Sequence, residues 1–210
     1  MTDVTDATMD SGTAELVGLS AYCALAAMTR LSKDGDQAPT IHDHIEHMRM
    51  ADRAFNAFRA LELWAEQRGM EIEPAAGEFM GLFDDLEART RPTTWWERSV
   101  KTYLMLGAFS DMLQEAAKRR DLFTAETMDW DFGENEWVEE NLAPVTAADP
   151  QLAARLSLWA RRVAGEALGL VRATLFTHPL LGVTPEGTDE ITAVVNERHQ
   201  ARMAAINLKA

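Results

Sequence analysis

Residues 40–69, TIHDHIEHMRMADRAFNAFRALELWAEQRG, read as one uninterrupted amphipathic helix. Thr40 offers an N-cap hydroxyl, Asp43 stands three residues on in the capping-box position, and Gly69 supplies the stop. At about 100° per residue, His44, His47, Met48, Ala51, Ala54, Phe55, Phe58 and Leu61 fall on one broad face. A core-facing stripe sustained over about five turns is too long for a small mixed fold and suits a bundle of long antiparallel helices.

The flanking segments agree with that architecture. Upstream, Leu16, Leu19, Cys23, Ala26 and Ala27 recur at helical spacing, predicting a helix over Ala14–Ser32 capped at Ser11 or Thr13 and stopped by Gly35. Residues 1–12, rich in Asp, Thr, Ser and Gly, read as a mobile tail, which leaves 13–210 as one helical domain. Downstream, a short helical segment carries Phe79, Leu82, Phe83 and Leu86. A third long helix opens at Thr94, with Glu97 at the capping-box position, and runs to Lys118-Arg119-Arg120. Phe123–Leu142 has the weakest helical pattern, and Pro144 is expected to end it. Asp149-Pro150 starts a helix reaching about Phe176, His178-Pro179 stops it, and a last amphipathic helix covers Asp189 to about Asn207 with Ile191, Val194, Val195 and Met203 inward. No stretch alternates like a strand between turn signals. The expected fold is all-α, four long helices with the Phe79–Leu86 and C-terminal helices packed outside.

The composition is that of a globular protein: 210 residues, 47% hydrophobic and 26% charged. Twenty Lys and Arg against 34 Asp and Glu leave a net charge of −14. Such a chain repels phosphate backbones and anionic lipid unless its cations cluster. The only basic run, Lys118-Arg119-Arg120, is followed at once by Asp121, so Trp95, Trp96, Trp130 and Trp137 have no basic stripe beside which bases would stack. Neither nucleic acid nor membrane is expected as a partner. With one cysteine, no signal-peptide pattern and no apolar run near 18 residues, a cytoplasmic protein is expected.

Gly18-Leu-Ser-Ala-Tyr22, Lys101-Thr-Tyr103, the block Arg155–Leu168 (RLSLWARRVAGEAL) and Glu197-Arg-His199-Gln-Ala-Arg202-Met203 carry a family likeness. Together with the order of long and short helices, they resemble the actinobacterial ferritin-like proteins. Those are grouped with the tRNA hydroxylases that act on a hypermodified adenosine. The resemblance covers most of the chain, from about Leu16 to the end, and Arg155–Leu168 is its most specific part. It implies a ferritin-like antiparallel four-helix bundle. In members with an intact site it implies two irons, held by one carboxylate from each of two helices and an acid-x-x-His pair from each of the other two. Residues i and i+3 face the same way on a helix, so one helix can present both an oxygen and an imidazole.

Measured against that pattern, ligands are missing. The helix-one acid falls on Ala24, and the Glu-x-x-His of helix two falls on Ala54-Phe-Asn-Ala57. The His of the later pair falls on Glu134, leaving Asp131-Phe-Gly-Glu134. The helix-three acid corresponds to Asp111 or is lost at Leu106. Asp111, Asp131 and Glu134 are thus the residual metal candidates, although Asp131 and Glu134 stand in a dense acidic run that reads as a solvated face. Asp43, His44 and His47 form a separate weak cluster, short of the third ligand that tetrahedral zinc would need from another helix. Arg162 and Glu166, i and i+4, suggest a salt bridge that sets register. His199 reads as structural and Cys23 as a buried small hydrophobe.

The functional reading is a ferritin-like bundle with a degenerate di-iron site: a scaffold or interaction protein rather than an enzyme, with no cofactor. Its protein partner is not identifiable from sequence, and a homodimer is one assembly open to it. Two alternatives are a di-iron oxygenase similar to the tRNA hydroxylases and a small-molecule binder using the space the metals would vacate. Ala24, Ala54 and Ala57 would then be plain packing, with Tyr22, Phe55, Phe58, Leu104 and Met105 filling part of that space.

Overall fold

Thr40 and Thr94 start helices as their capping chemistry requires. Thr40 Oγ1 accepts from Asp43 N at 3.1 Å. Thr94 and Glu97 form a full capping box, Thr94 Oγ1 accepting from Glu97 N and Glu97 Oε2 accepting from Thr94 N. The computed structural model describes residues 9–123 and 129–210. Its helices are α1 (Ser11–Asp36), α2 (Ile41–Glu66), α3 (Ile72–Gly77), α4 (Asp84–Arg89), α5 (Trp95–Arg119), α6 (Glu134–Ala148), α7 (Pro150–Thr177) and α8 (Pro185–Ala205), with a 3-10 turn at Pro179–Gly182. Among the described residues there is no strand. The expected all-α bundle is present, with α1, α2, α5 and α7 as its long members.

α5 is the axis of the bundle. Every residue from Ser99 to Leu113 is buried. A helix buried all round must be covered on every side, and α1, α6, α7 and α8 all pack against it. α1 and α2 form an antiparallel hairpin through the short turn after Asp36, and α3 lies across α1.

Several boundaries and faces differ from the sequence reading. α1 begins at Ser11, inside the expected tail, because Asp10 rather than Ser11 or Thr13 caps it, accepting from Thr13 N at 3.1 Å. The rest of the tail call, residues 1–8, lies outside the described residues. Gly35 does not stop α1, which continues to Asp36. Phe79–Leu86 is not one helix: the chain turns between α3 and α4 around Gly81, whose φ is +84°. α6 begins only at Glu134, behind Gly133, and Pro144 sits inside it instead of ending it. Proline costs that helix a backbone donor and crowds the preceding turn. The segment after α8 also bonds to this turn, with Asn207 Nδ2 donating to Ala143 O at 2.9 Å and Thr146 Oγ1 donating to Ile206 O at 2.9 Å. α8 starts at Pro185, four residues early, because Thr184 Oγ1 accepts from Gly187 N. It is no external addition, since Ile191, Val195, His199 and Met203 are buried and the helix covers one side of α5.

The apolar face of α2 is narrower than its sequence suggests. His47, Met50, Ala51, Ala54, Ala57, Leu61 and Ala65 are buried, whereas Met48 and Phe55 join Ile41 and Ile45 on an exposed stripe. The helix is covered chiefly by α1 and α3, so the remaining apolar residues face solvent. α1 is long and apolar enough to span a bilayer by length and composition, contrary to the sequence expectation, but it is a largely buried core helix here.

The α1–α3 crossing depends on Gly18. A Cβ there would meet Ala75 O at 2.5 Å, a backbone atom that cannot swing away. In a free helix Gly18→Ala would gain about 1 kcal/mol from helix propensity. Here it should instead destabilise by about 1–3 kcal/mol, measured as a lower urea midpoint with an unchanged m-value.

Candidate functional site

The positions where the resemblance implies metal ligands are filled by packing. Ala24 and Ala54 are fully buried and Ala57 is 8% exposed, all within one apolar core. A methyl group offers no lone pair, so none of these three side chains could ligate a metal. Leu104 and Met105 are buried in the same core, whereas Phe55 is on the surface and Tyr22 turns toward α3, accepting from Gly81 N and stacking on Phe83 at 6.0 Å. Those two do not fill the interior as expected.

Asp111 is buried on α5 and fully engaged from α8. Its Oδ1 takes Arg198 Nη1 at 3.1 Å and Arg202 Nη2 at 3.0 Å, while Oδ2 takes Arg202 Nη1. Arg198 also reaches Glu115 Oε1 at 2.9 Å. Burial works against the Arg202 charge, but the hydrogen bonds and charge of Asp111 outweigh it and raise the guanidinium pKa. Gly107 makes room for this arrangement: a Cβ there would lie 2.4 Å from Arg202 Nε. Alongside, Tyr103 donates to Glu139 Oε1 at 2.9 Å, and burial together with that carboxylate pushes its phenol pKa up.

Asp131 and Glu134 do not form the solvated face expected of them, and they do not join Asp111 as ligands. Glu134 is 2% exposed. Its Oε2 accepts from Phe132 N at 2.9 Å, and Asp131 Oδ1 accepts from Gly133 N at 2.8 Å. Both carboxyls therefore organise the loop that enters α6, which α2 also grips through Arg53 Nε donating to Phe132 O. Glu134 Oε1 has no partner among the described residues. Burial, and then the neighbouring Asp131, push its carboxyl up to about 8, so it is neutral at pH 7.

Asp43, His44 and His47 are likewise not a metal site. Asp43 is occupied with the α2 cap, Thr40 Oγ1 donating to its Oδ2 at 2.7 Å. His47 is a core imidazole whose Nδ1 lies 2.8 Å from Asp43 O, with Trp95 and Trp137 packed on it at centroid distances of 5.2 and 4.7 Å. Burial lowers its pKa, which keeps it neutral. His44 sits instead beside Ile41, Ile45 and Met48 in the surface groove of α2. Among the described residues, no group of three or more His, Cys, Asp or Glu side chains converges on a possible metal position. The residues present do not fit a di-iron centre.

The remaining sequence candidates are structural. Glu166 pairs across helices with Arg89 at 3.4 Å, not with Arg162. His199 is buried, with its pKa lowered by burial. Cys23 is buried and its thiol pKa is pushed up, so it is no nucleophile. In the basic run, Arg119 pairs with Glu190 and Arg120 with Asp10. Sequence reasoning missed Asp34 and Lys101, both buried, and the half-buried Glu87 that pairs with Lys101, although one signal was present. Lys101 shares the inward face of α5 with Leu104, Met105 and Ala108, an unusual place for an ammonium group.

The family described as ferritin-like domain, actinomycetes, matches residues 7–184. No curated protein matches the chain. The matched range ends just before α8, the helix that supplies Arg198 and Arg202.

Removing one partner of the buried α5–α8 pair leaves an uncompensated charge. Arg202→Met should cost about 3–5 kcal/mol, and adding Asp111→Leu should recover much of that loss; a chemical-denaturation double-mutant cycle measures both. Glu134 gives a separate pH signature. Its folded pKa lies near 8 against an ordinary 4.5, so the folded state holds a proton that the unfolded state releases. Its contribution to stability is complete below about pH 4.5 and is lost as pH rises to about 8. Glu134→Gln should flatten this part of the stability–pH curve and raise the melting temperature at pH 8.

Proposed function

Since the chain belongs to the ferritin-like domain family of actinomycetes, we propose that it is a member without a di-iron site, acting as a non-catalytic scaffold or interaction protein. The observation that carries this reading is the state of Asp111. It is the best-placed surviving acid, and both its oxygens are taken by guanidinium groups from α8. A carboxylate that bridges metal ions needs its lone pairs free. The fully buried Ala24 and Ala54 point the same way. An oxygenase similar to the tRNA hydroxylases would require an inward acid-x-x-His pair, and none of the five histidines has an acid three residues before it: those positions hold Pro39, Ile41, His44, Leu175 and Asn196.

The exposed stripe Ile41, Ile45, Met48 and Phe55 supports an interaction role. Its spacing of four, seven and fourteen residues from Ile41 lines one side of α2. A protein partner, a second copy of the chain among the options, would cover it. Nucleic acid is a poor partner: the net charge is −14, and Arg119 and Arg120 are already paired.

Metal content and melting test the proposal together. The purified protein should carry no stoichiometric iron. Ala54→Glu buries an uncompensated acid and should destabilise by about 1–3 kcal/mol, with no rescue by ferrous iron. Two equivalents of iron in the wild type, or an iron-dependent rise of several degrees in either protein, would overturn it.

A further inference from the structure

A cavity of about 730 Å³ lies between α1, α3, α4 and α5, with one contact from α2. It is not the space the metals would have vacated, because Ala24, Ala54 and Ala57 do not line it. Its size is that of a small-molecule site. The two ends differ in chemistry. Along α1 the wall runs from Tyr22 to Lys33, about 16 Å at 1.5 Å per residue. α5 runs the opposite way beside it, since Arg98 meets Asp34 near the end of α1 while Met105 lies further back. Tyr22, Phe58, Phe83 and Met105 therefore form an apolar end, with Phe83 braced against Phe109 at 4.8 Å.

The other end is basic. Arg30, Lys33, Arg91, Arg98 and Lys101 all line it, in a chain whose overall charge is −14. Two carboxylates serve the inner three cations. Glu87 is shared between Arg30 on Oε1 and Lys101 on Oε2, the latter at 2.8 Å. Asp34 takes Arg98 at 3.0 Å and spends its other oxygen on Thr102. Lys101 is fully buried, held also by Thr90 O at 2.7 Å. Lys33 and Arg91 have no ion pair among the described residues. Asp84 and Glu73 are the remaining acids on the wall, and neither is paired with this cluster. Burial, with Arg30 and Arg98 as like-charged neighbours, pulls the Lys101 pKa down. That pKa falls to about 7, so Arg30 and Arg98 are the firm cations of the inner cluster, balanced by Glu87 and Asp34, and the cations left without an ion pair among the described residues are Lys33 and Arg91 at the mouth.

We propose that this cavity binds an amphipathic organic carboxylate, its head group at the Arg30–Arg98–Lys101 cluster and its hydrocarbon body against Tyr22, Phe58 and Phe83. The head group gives Lys33 and Arg91 the anion they lack, and the inner cluster adds positive charge behind it. The apolar end takes up a hydrocarbon body from water. Unlike an inorganic anion, such a ligand uses both ends, and unlike a neutral amphiphile it satisfies the cations. This site is independent of the interior between α5 and α8, so it stands whether or not the bundle lacks iron.

Equilibrium dialysis of the full chain with decanoate, decanol and decyltrimethylammonium tests it. Decanoate should bind at one saturable site, about tenfold or more tighter than decanol, the worth of one charge-assisted contact. The cationic amphiphile should not compete. Lys33→Gln with Arg91→Gln, two exposed side chains outside the packed core, should weaken decanoate severalfold and leave decanol unchanged. Leu25→Trp, which fills the cavity from α1, should abolish binding while the helical circular dichroism spectrum is retained. Absence of saturable decanoate binding overturns the proposal, as does decanol binding equally well. Unchanged decanoate affinity in the Lys33→Gln, Arg91→Gln protein would also overturn it.

Discussion

α5 is buried on every side yet carries Lys101, Thr102, Asp111 and Glu115, and each of these must find its partner on another element. Lys101 is tied to Glu87 of α4 and Thr102 to Asp34 of α1, while Asp111 and Glu115 are tied to α8. Tyr103 adds α6 through Glu139, and Trp159 of α7 donates to Glu97 O at 2.8 Å. Apolar packing alone would allow helices to slide or rotate around a greasy axis. Directional bonds from one helix to five neighbours remove that freedom, because any slip leaves a buried charge unpaired.

The same constraint bears on the chemistry. Interior carboxylates in a metal-binding bundle are balanced by the metal charge. Here the balance at Asp111 comes from two guanidinium groups, and they arrive on α8, beyond the range matched by the family. Gly107 clears the path for one of them. At Glu134 the solution differs: the carboxyl makes no ion pair among the described residues, and burial pushes its pKa up to about 8. Asp111 and Glu134 are thus accommodated in one bundle by different means, one by ion pairs and one by a raised pKa.

Charge is unevenly distributed over the fold. Acids dominate the chain as a whole, while five basic side chains gather along a single cavity beside α1. Self-repulsion among surface acids favours solubility. It also makes a local basic cavity stand out, since an organic anion would meet repulsion over most of the surface and attraction at one place.

Helix identity was legible in the sequence because it depends on local chemistry. Thr40, Thr94 and Asp149 cap their helices with atoms two or three residues away, and the 3.6-residue repeat of α1, α2, α5 and α7 requires no knowledge of the rest of the chain. The burial of Ala24, Ala54 and Ala57 was legible too, since all three fall on the periodic apolar faces of their helices. What a residue faces was not. Met48 and Phe55 share the period of the core but lie beyond the arc that α1 and α3 cover. Glu134 stands in an acidic run yet is buried, and Pro144 stays inside α6, where Asn207 bonds to the neighbouring Ala143 O. The pairing of Asp111 with Arg198 and Arg202 joins residues about ninety positions apart. Such contacts follow from the packing of α5 against α8, a long-range event that a local pattern does not encode, so the state of the interior and the basic cavity were decided by tertiary structure alone.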